Sequence, residues 1–431
     1  MACWDCITVY SGTDAVTALF EQIADSLNWA DRWKWESATF EDKFRYAMRV
    51  KRLEVRTTGN PIVSDPRRPK LPDTAPPKEA AYQTALEYTL AEPSNQLKER
   101  QERPIAVDLF SGAGGAALGM LDAGFAVVGV EHDANARLAH TVNLDECRRV
   151  DLADTSQSLR VPQPTWVHAS PPCKGFSRAG LQKADDERNE LTWKTIEWVA
   201  DLEPRIVTME QVPGFKDGGH TARLRQEFDD IGYDVAITEV NAADYGVPQT
   251  RERLIVVAVR ADAAGSPSLP DPTHAPTAQE TLFGETLSAY RTVGDVLPVQ
   301  TDRAKERNHS PPSHTEAVEA RFKRLSPGQN VTELDNAGTK KASQRRLDPN
   351  APAPTITGVP SDYVHPTMNR CLTNRELARL QTFPDWFRFT GPKKGGGGTR
   401  GEITTQAEQI GNAVPPQLMK IIGEHISSEF C

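Results

Sequence analysis

Short apolar runs, separated by stretches with helical spacing, make up the chain between residues 104 and 260. The first run is PIAVDLF, and the glycine turn SGAGG separates it from AALGMLDAG, a helical pattern that Gly124 would end as a C-terminal cap. The next apolar run is FAVVGVEHD. Strand, helix and strand in this order form a βαβ unit, and such units predict a parallel, doubly wound sheet.

Three later apolar runs extend this pattern: PTWVHAS at 164–170, PRIVTMEQV at 204–212 and RLIVVAVR at 253–260. After Arg260 the pattern stops, and Pro, Thr, Ser and Gly become frequent, which predicts loops and short strands. Helical spacing returns in TNRELARLQTF (373–383), and a last helix follows GNAVPP (411–416).

The N-terminal part of the chain differs from this body. Residues 14–29 have the spacing of an amphipathic helix, and six prolines between Thr57 and Lys78 predict an extended linker. We therefore divide the chain into five parts: an appendage (1–56), a Pro-rich linker with a helix (57–103), an α/β domain (104–260), an irregular region (261–369) and a C-terminal part (370–431).

Composition narrows the class of protein. The chain has 431 residues and six scattered cysteines, unlike the dense framework of a small secreted domain. Cys3 and Cys6 form a lone CxxC pair, so we predict no metal site. We see neither a signal-peptide pattern nor an apolar run of the ~20 residues that a membrane helix needs, and we expect a cytoplasmic protein with no membrane partner.

Charge is unevenly distributed along the chain. The net charge of −9 argues against a surface that is basic all over. Residues 301–346 nevertheless contain 10 Lys and Arg against 6 Asp and Glu. The sequence therefore leaves room for a local basic cleft.

The glycine turn and the acid after the next strand indicate a nucleotide-like ligand. Phe110, Gly112 and Gly114 lie between a strand and a helix, where small residues let a ligand approach the backbone. Glu131 ends the next strand, where a carboxylate can accept two hydrogen bonds from a ribose. The spacing departs from GxGxxG, which weakens a dinucleotide, but a dinucleotide, S-adenosylmethionine and a sheet without cofactor all stay open.

Cys173 stands behind Pro171 and Pro172 at the end of a predicted interior strand. A loop at that point emerges at the carboxyl edge of the sheet, where open α/β sheets place their sites. A rigidly held thiol near positive charge can act as a nucleophile. The alternative is a plain loop that ends a strand.

Glu210 ends another predicted interior strand at the same edge, and such an acid is costly to bury without a partner or a task. Arg251 and Arg253 occupy alternate positions entering a strand, so both side chains should point to one face and suit an anion. For Glu210 the alternative is a carboxylate that caps the following turn. For Arg251 and Arg253 it is a charged, solvated strand end.

In their order along the chain, these blocks resemble the DNA (cytosine-5)-methyltransferase family. The resemblance covers roughly residues 104–430 and rests on DLFSGAGGAALGM, Glu131, Asp151 in VDLAD, SPPCKGFS, EQV, QTRERL, RCLTNRELARLQTFP and QIGNAVPP. It implies an α/β fold: a Rossmann-like, S-adenosylmethionine-dependent methyltransferase sheet, a smaller, mostly irregular or β target recognition domain at 261–369, and a helical N-terminal appendage. It also implies that the C-terminal part, 370–431, returns to the catalytic domain.

The resemblance also implies a reaction, methyl transfer from S-adenosylmethionine to carbon 5 of a cytosine that is flipped out of the DNA. Cys173 matches the family's nucleophile, which adds to carbon 6. Glu210 matches the acid that holds the ring N3 and the exocyclic amine. Arg253 matches the arginine at the carbonyl oxygen of the base, with Arg251 and Gln249 as its companions.

The resemblance carries over a set of cofactor-binding positions as well. They are the loop residues Phe110, Gly112 and Gly114, the ribose contact Glu131, the adenine contact Asp151, Pro172 beside the methionine, and Asn412 and Val414 from the last block.

This chain departs from the family's pattern at three places. Lys174 stands where glutamine is usual, and Gln211 stands where asparagine is usual, but neither change removes a reacting group. Residues 390–403, TGPKKGGGGTRGEI, look inserted and predict a flexible loop, in which Lys393, Lys394 or Arg400 would contact a phosphate.

Double-stranded DNA is the partner that the resemblance implies, with the basic residues of 301–346, above all the cluster at 340–346, in phosphate contacts. A restriction endonuclease for the same site is a second partner that it suggests, and we expect a monomer. Three alternatives stay open: a catalytically silent DNA-binding member of the fold, a transfer RNA cytosine methyltransferase and a nicotinamide-dependent oxidoreductase.

Overall fold

The computed structural model describes residues 103–144, 146–159, 161–172, 190–280, 286–297, 308–336, 341, 343–393 and 404–430. The predictions for the appendage and the linker, and those for Cys173 and Lys174, lie outside these residues. The first eight strands are β1 Ile105–Leu109, β2 Ala126–Val130, β3 Cys147–Arg148, β4 Trp166–Ala169, β5 Ile206–Gln211, β6 Tyr233–Asn241, β7 Gln249–Thr250 and β8 Glu252–Arg260.

Seven of these strands form one sheet in the order β3-β2-β1-β4-β5-β8-β6. The first five are parallel, as the βαβ pattern predicts, and β8 is antiparallel to both β5 and β6. A parallel β8 is therefore wrong. The reason is the short connection 242–251 between β6 and β8, which cannot hold the crossover that a parallel pair needs.

Helices cover both faces of the sheet. The described helices are α1 Gly115–Asp122, α2 Ala134–Leu144, α3 Glu190–Leu202, α4 His220–Asp230, α5 Val293–Val296, α6 Glu316–Lys323, α7 Asn374–Leu380, α8 Gln406–Asn412 and α9 Pro416–Phe430. Apolar residues of α3 and α4 pack with Val107, Val167 and Val207 on one face. Those of α1 and α9 pack with Ala106 and Trp166 on the other, so the sheet is doubly wound.

Helix α9, near the end of the chain, packs on α1, the first described helix. A Cβ atom built on Gly119 of α1 would lie 2.4 Å from the carbonyl oxygen of Pro416 and 2.7 Å from the nitrogen of Lys420. The two helix backbones therefore approach as closely as a glycine allows, and α9 packs directly on α1.

The described residues between 261 and 369 contain short strands, loops and the two short helices α5 and α6. Strands β9 His274–Ala275, β10 Gln279–Glu280 and β11 Thr286–Ala289 form a small sheet, β12 Arg345–Arg346 pairs with β14 Tyr363–Val364, and β13 Ala353–Pro354 pairs with β7. A separate small core, with Phe322, Leu325, Val331, Val364 and Cys371, lies beneath this region. None of the described helices is long and apolar enough to cross a membrane.

The approach of α1 to α9 can be tested by replacing Gly119 with alanine. Helix propensity alone would make this change stabilising by about 1 kcal/mol. Because the new methyl group would meet the backbone of α9, we instead expect the free energy of unfolding to fall by about 1–3 kcal/mol. Denaturant unfolding measures the sign, and a more stable variant would contradict the packing described above.

Candidate active site

The predicted site residues gather at the carboxyl edge of the parallel strands. Phe110 follows β1, Glu131 follows β2, Pro172 follows β4, and Glu210 lies within the last two residues of β5. The turn after β4 contacts the glycine loop, since the Ser170 hydroxyl donates to the carbonyl oxygen of Phe110 at 3.4 Å. Pro172 is half-buried and is the last described residue before Cys173.

Two glycines of the loop have different tasks. At Gly114 (φ 97°) a Cβ would lie 2.9 Å from Cδ2 of His140 and 2.5 Å from Cδ1 of Leu144, so the loop packs directly on α2. At Gly112 (φ 56°) a Cβ would meet nothing within 4 Å. Gly112 therefore leaves open space beside the backbone, and Phe110 adopts a similar left-handed conformation (φ 59°) next to it.

Glu131 joins the end of β2 to this loop. Its carboxylate is buried and accepts hydrogen bonds from the backbone N–H of Gly112 at 2.9 Å and of Asp133 at 2.7 Å. Nδ1 of His132 lies 3.2 Å from the oxygen that accepts from Asp133, so that oxygen has two partners. The oxygen that accepts from Gly112 retains a second lone pair, which can accept a ribose hydroxyl. The same carboxylate, through a hydrogen bond to the ring, raises the pKa of His132.

Asp151 lies on the surface near this point. Its side chain is exposed and accepts from the backbone N–H of Ala153 at 3.1 Å. Its charge contributes to the raised pKa of His132, which places the two side chains within electrostatic reach of each other. Asp151 therefore remains open to a ligand that binds beside Glu131.

Glu210 and the two arginines form a buried ion-pair cluster. Nε of Arg253 lies 2.5 Å from Oε1 of Glu210, and a guanidinium nitrogen of Arg251 lies 4.0 Å from the same oxygen. The three side chains are on the sheet face that α1 and α9 cover, and Glu210 is only 7% exposed. The prediction that both guanidinium groups point to one face is confirmed.

Arg251 has a second set of partners. One of its nitrogens donates to the carbonyl oxygens of Ile356 and Gly411, both at 3.2 Å. It therefore links Glu210 to the end of the irregular region and to the last sequence block. This position favours a supporting role for Arg251 and leaves Arg253 as the arginine with the closer approach to Glu210.

A buried amide pair closes the same junction, and sequence reasoning identified only half of it. The Gln249 amide donates to Oε1 of Gln381 at 2.9 Å, and Gln381 donates to the carbonyl oxygen of Ile410 at 2.7 Å. Both glutamines are fully buried. Gln381 follows the helical pattern of α7 directly, and a glutamine at a helix end carries no sequence signal of burial.

The last block reaches the glycine loop through its backbone. The Val414 side chain is buried, and its carbonyl oxygen lies 2.6 Å from the position of a Cβ on Gly115. A Cβ on Gly411 would meet the backbone of Thr357 and Gly358 at 2.3 Å. Asn412, in contrast, is exposed, so of the two predicted residues Val414 packs and Asn412 is available to a ligand.

Residues 105–428 match the family described as C-5 cytosine-specific DNA methylase. The chain belongs to this family. The resemblance noted from the sequence blocks is thereby confirmed, and the methylase acts on cytosine carbon 5 in DNA. Methyltransferases in general take the methyl group from S-adenosylmethionine.

Two curated relatives are each 32% identical to the methylase. One is the Type II methyltransferase M.XorII of Xanthomonas oryzae pv. oryzae, aligned over 75% of this chain and 84% of the relative. The other is M.AplI of Arthrospira platensis, aligned over 76% of this chain and 86% of the relative. A solved structure assigned as a prophage-encoded DNA modification methyltransferase of Escherichia coli is 26% identical, with a TM-score of 0.57, and the match covers 76% of this chain and 99% of that one.

The basic cluster of the methylase at 340–346 only partly fits the predicted phosphate contacts. Arg346 is buried, and its guanidinium donates to the carbonyl oxygens of Phe322, Leu325 and His365, among others. Its expected role at a phosphate is therefore wrong. Lys341 pairs with Asp362 at 2.6 Å, and Lys340 lies outside the described residues.

Arg346 should act on stability and not on DNA affinity. Replacing it with methionine would leave several buried carbonyl groups unpaired, and we expect the free energy of unfolding to fall by about 3 kcal/mol or more. The half-buried neighbour Arg345, changed to methionine, is the matched control, for which we expect a loss below ~1 kcal/mol. Equal losses in denaturant unfolding would refute this assignment.

A buried acid beneath the glycine loop was not identified from the sequence. Asp108 of β1 is fully buried, and burial raises its pKa to about 7, although the Ser111 hydroxyl donates to it at 2.7 Å and opposes part of the rise. Asp108 thus holds the loop through Ser111. Asp108 stands near the end of the run PIAVDLF, where the sequence does not distinguish a buried acid from the first polar residue of the following loop.

The raised pKa predicts how stability depends on pH. Between its ordinary value of 3.8 and about 7, the unfolded chain has lost the Asp108 proton while the folded chain keeps it. The free energy of unfolding therefore falls as pH rises through this window, by a few kcal/mol at most.

Asparagine at position 108 does not titrate, so the variant lacks this pH-dependent loss. We therefore expect the free energy of unfolding of Asp108→Asn, minus that of the wild type, to be larger at pH 8 than at pH 4. Asp201→Asn, at an exposed position of α3, is the control. Urea unfolding at both pH values is the measurement. A stability difference between Asp108→Asn and the wild type that stays constant with pH would exclude this titration.

Proposed function

We propose that this methylase modifies cytosine in double-stranded DNA through a covalent adduct with Cys173, with S-adenosylmethionine as the methyl donor. The observation that supports it best is the buried Glu210–Arg253 pair at the end of β5. Strand β5 lies directly beside β4, with Ala169 paired to Met209, and Cys173 follows β4 in the chain. A carboxylate, a guanidinium and a thiol thus belong to neighbouring strand ends.

The residues after β1, β2 and β4 suit the donor. Gly112 offers open space beside its backbone, and Glu131 offers a free lone pair on the carboxylate oxygen that accepts from Gly112. Pro172 belongs to the turn after β4, which contacts Phe110 through Ser170. Asp151 and Asn412 are exposed and available to the adenine and to the rest of the donor. Bound S-adenosylmethionine supplies an electrophilic methyl group on a sulfonium.

The protein's own residues would activate the base. The Cys173 thiolate adds to carbon 6 of cytosine, which forms a carbon–sulfur bond and makes carbon 5 nucleophilic. Glu210 holds N3 and the exocyclic amine, and Arg253 holds the carbonyl oxygen, so both favour the charge that develops on addition. After methylation, a base removes the carbon-5 proton, and the carbon–sulfur bond breaks to release the thiolate.

Cytosine must leave the duplex to reach these groups, at a cost of a few kcal/mol. We assign the DNA contacts that offset this cost to residues 261–369, which connect the end of β8 to the last blocks. The relatives are named Type II methyltransferases, and on this ground we propose that the chain protects DNA at the site of a restriction endonuclease.

The assignment of Cys173 predicts a separation of binding from chemistry. Cys173→Ala should abolish methyl transfer while binding of S-adenosylmethionine is kept, because the change removes only the thiol and leaves Pro172 and the donor contacts after β1 and β2 in place. The measurements are incorporation of labelled methyl into DNA and calorimetric titration with the donor. Normal turnover by Cys173→Ala would refute the nucleophile.

The wild-type protein distinguishes the alternatives in the same assay. Label on duplex cytosine supports the proposed function, and sequencing of methylated cytosines then gives the recognised site. Label on transfer RNA alone would indicate the RNA enzyme. No label on either, with DNA binding retained, would indicate the silent member of the fold.

A further inference from the structure

Gln211 is the residue after Glu210 on β5, and it faces the other side of the sheet. Its amide donates to the Thr192 hydroxyl at 3.2 Å, and both side chains are fully buried. The second polar atom of this amide, Oε1, has no hydrogen-bond partner among the described residues. A polar contact thus joins the strand of the proposed base-binding acid to helix α3.

Thr192 lies in the first turn of α3, which begins at Glu190. In the chain, this turn directly follows the segment 173–189 that starts with Cys173. Its neighbour Trp193 packs near Phe215, with ring centroids 6.2 Å apart, and the guanidinium of Arg223 lies 3.8 Å from the Trp193 ring centroid. The first turn of α3 is therefore held against the residues that follow β5.

The Gln211–Thr192 contact adds little to stability. A neutral hydrogen bond contributes about 1 kcal/mol net, while a buried acceptor without a partner costs about 1–3 kcal/mol. Oε1 has no partner in the part of the chain that the structure describes, and its burial there offsets the gain from the bond to Thr192. An apolar side chain of the same length would fold at least as well, so stability does not explain a glutamine here.

We propose that Gln211 is a positioning residue, which through Thr192 fixes the start of α3, the helix that follows the Cys173 segment in the chain, relative to Glu210. This inference rests on the proposed function of Cys173 and Glu210. Substitution of either partner should lower the rate of methyl transfer without a matching loss of stability.

The test compares Gln211→Met, Thr192→Val and the double variant with Thr195→Val. Thr195 is an equally buried threonine of α3, but its hydroxyl donates to the Leu191 carbonyl oxygen of its own helix at 2.8 Å. We expect kcat to fall about tenfold in both single variants and no further in the double variant, because the two changes remove one interaction. In these variants, KM for S-adenosylmethionine and the Tm should stay near the wild-type values. The control Thr195→Val should keep kcat within about twofold of the wild type. Thr192→Ser, which keeps the hydroxyl, should have a kcat close to that of the wild type.

Hydrogen exchange over residues 173–192 gives a readout that needs no catalysis. We expect faster exchange in Gln211→Met and Thr192→Val than in Thr195→Val. If the wild-type protein transfers no methyl group but this difference is present, the proposed function fails and the positioning role stands. The positioning role is overturned if the wild type is active and the two variants match Thr195→Val, or if kcat falls only in proportion to Tm.

Discussion

A carboxylate buried at the end of a central strand requires a cation beside it, because an unpaired buried charge costs several kcal/mol. Glu210 is this carboxylate, and Arg253 and Arg251 are its cations. Both arginines come from the start of β8. The start of a strand reaches the carboxyl edge of a parallel sheet only if the strand runs the opposite way. The antiparallel direction of β8 and the charge pair thus depend on each other.

The same pair ties distant parts of the chain to the site. Arg251 holds the carbonyl oxygens of Ile356 and Gly411, and the Gln249–Gln381 amide pair closes the neighbouring gap. Residues separated by more than a hundred positions therefore meet beside Glu210. This explains how a sheet whose strands end at residue 260 can carry a site completed by residues near 412.

Much of the fold and part of the site could be read from the sequence, because local patterns carry them. The apolar runs predicted β1, β2, β4, β5 and β8, and the glycine turn predicted a tight loop between strand and helix. Strand β6 was not predicted, since as an edge strand it alternates only weakly between buried and exposed positions. The direction of β8 was mispredicted, although the two arginines at its start already favoured the antiparallel arrangement.

The roles of Arg346 and Gln381 were out of reach for a different reason. Both side chains donate to backbone carbonyl oxygens, which every residue has and which no pattern distinguishes before folding. The sequence of a basic cluster does not show which of its arginines face solvent and which are buried. Arg346 was therefore predicted to contact a phosphate, whereas its guanidinium donates to the carbonyl oxygens of Leu325 and Phe322 in the small core.

The backbone contact of Gly411 with Thr357 and Gly358 has a consequence for protein engineering. It joins the end of the irregular region 261–369 to the last sequence block, with no room for a side chain between them. A chimaera that exchanges this region between related enzymes must therefore take its downstream crossover point before β13, so that residues 353–358 and 411 come from the same parent. A crossover between residues 358 and 411 would place backbone segments from two different parents in this close contact, where a small shift of either one causes a clash.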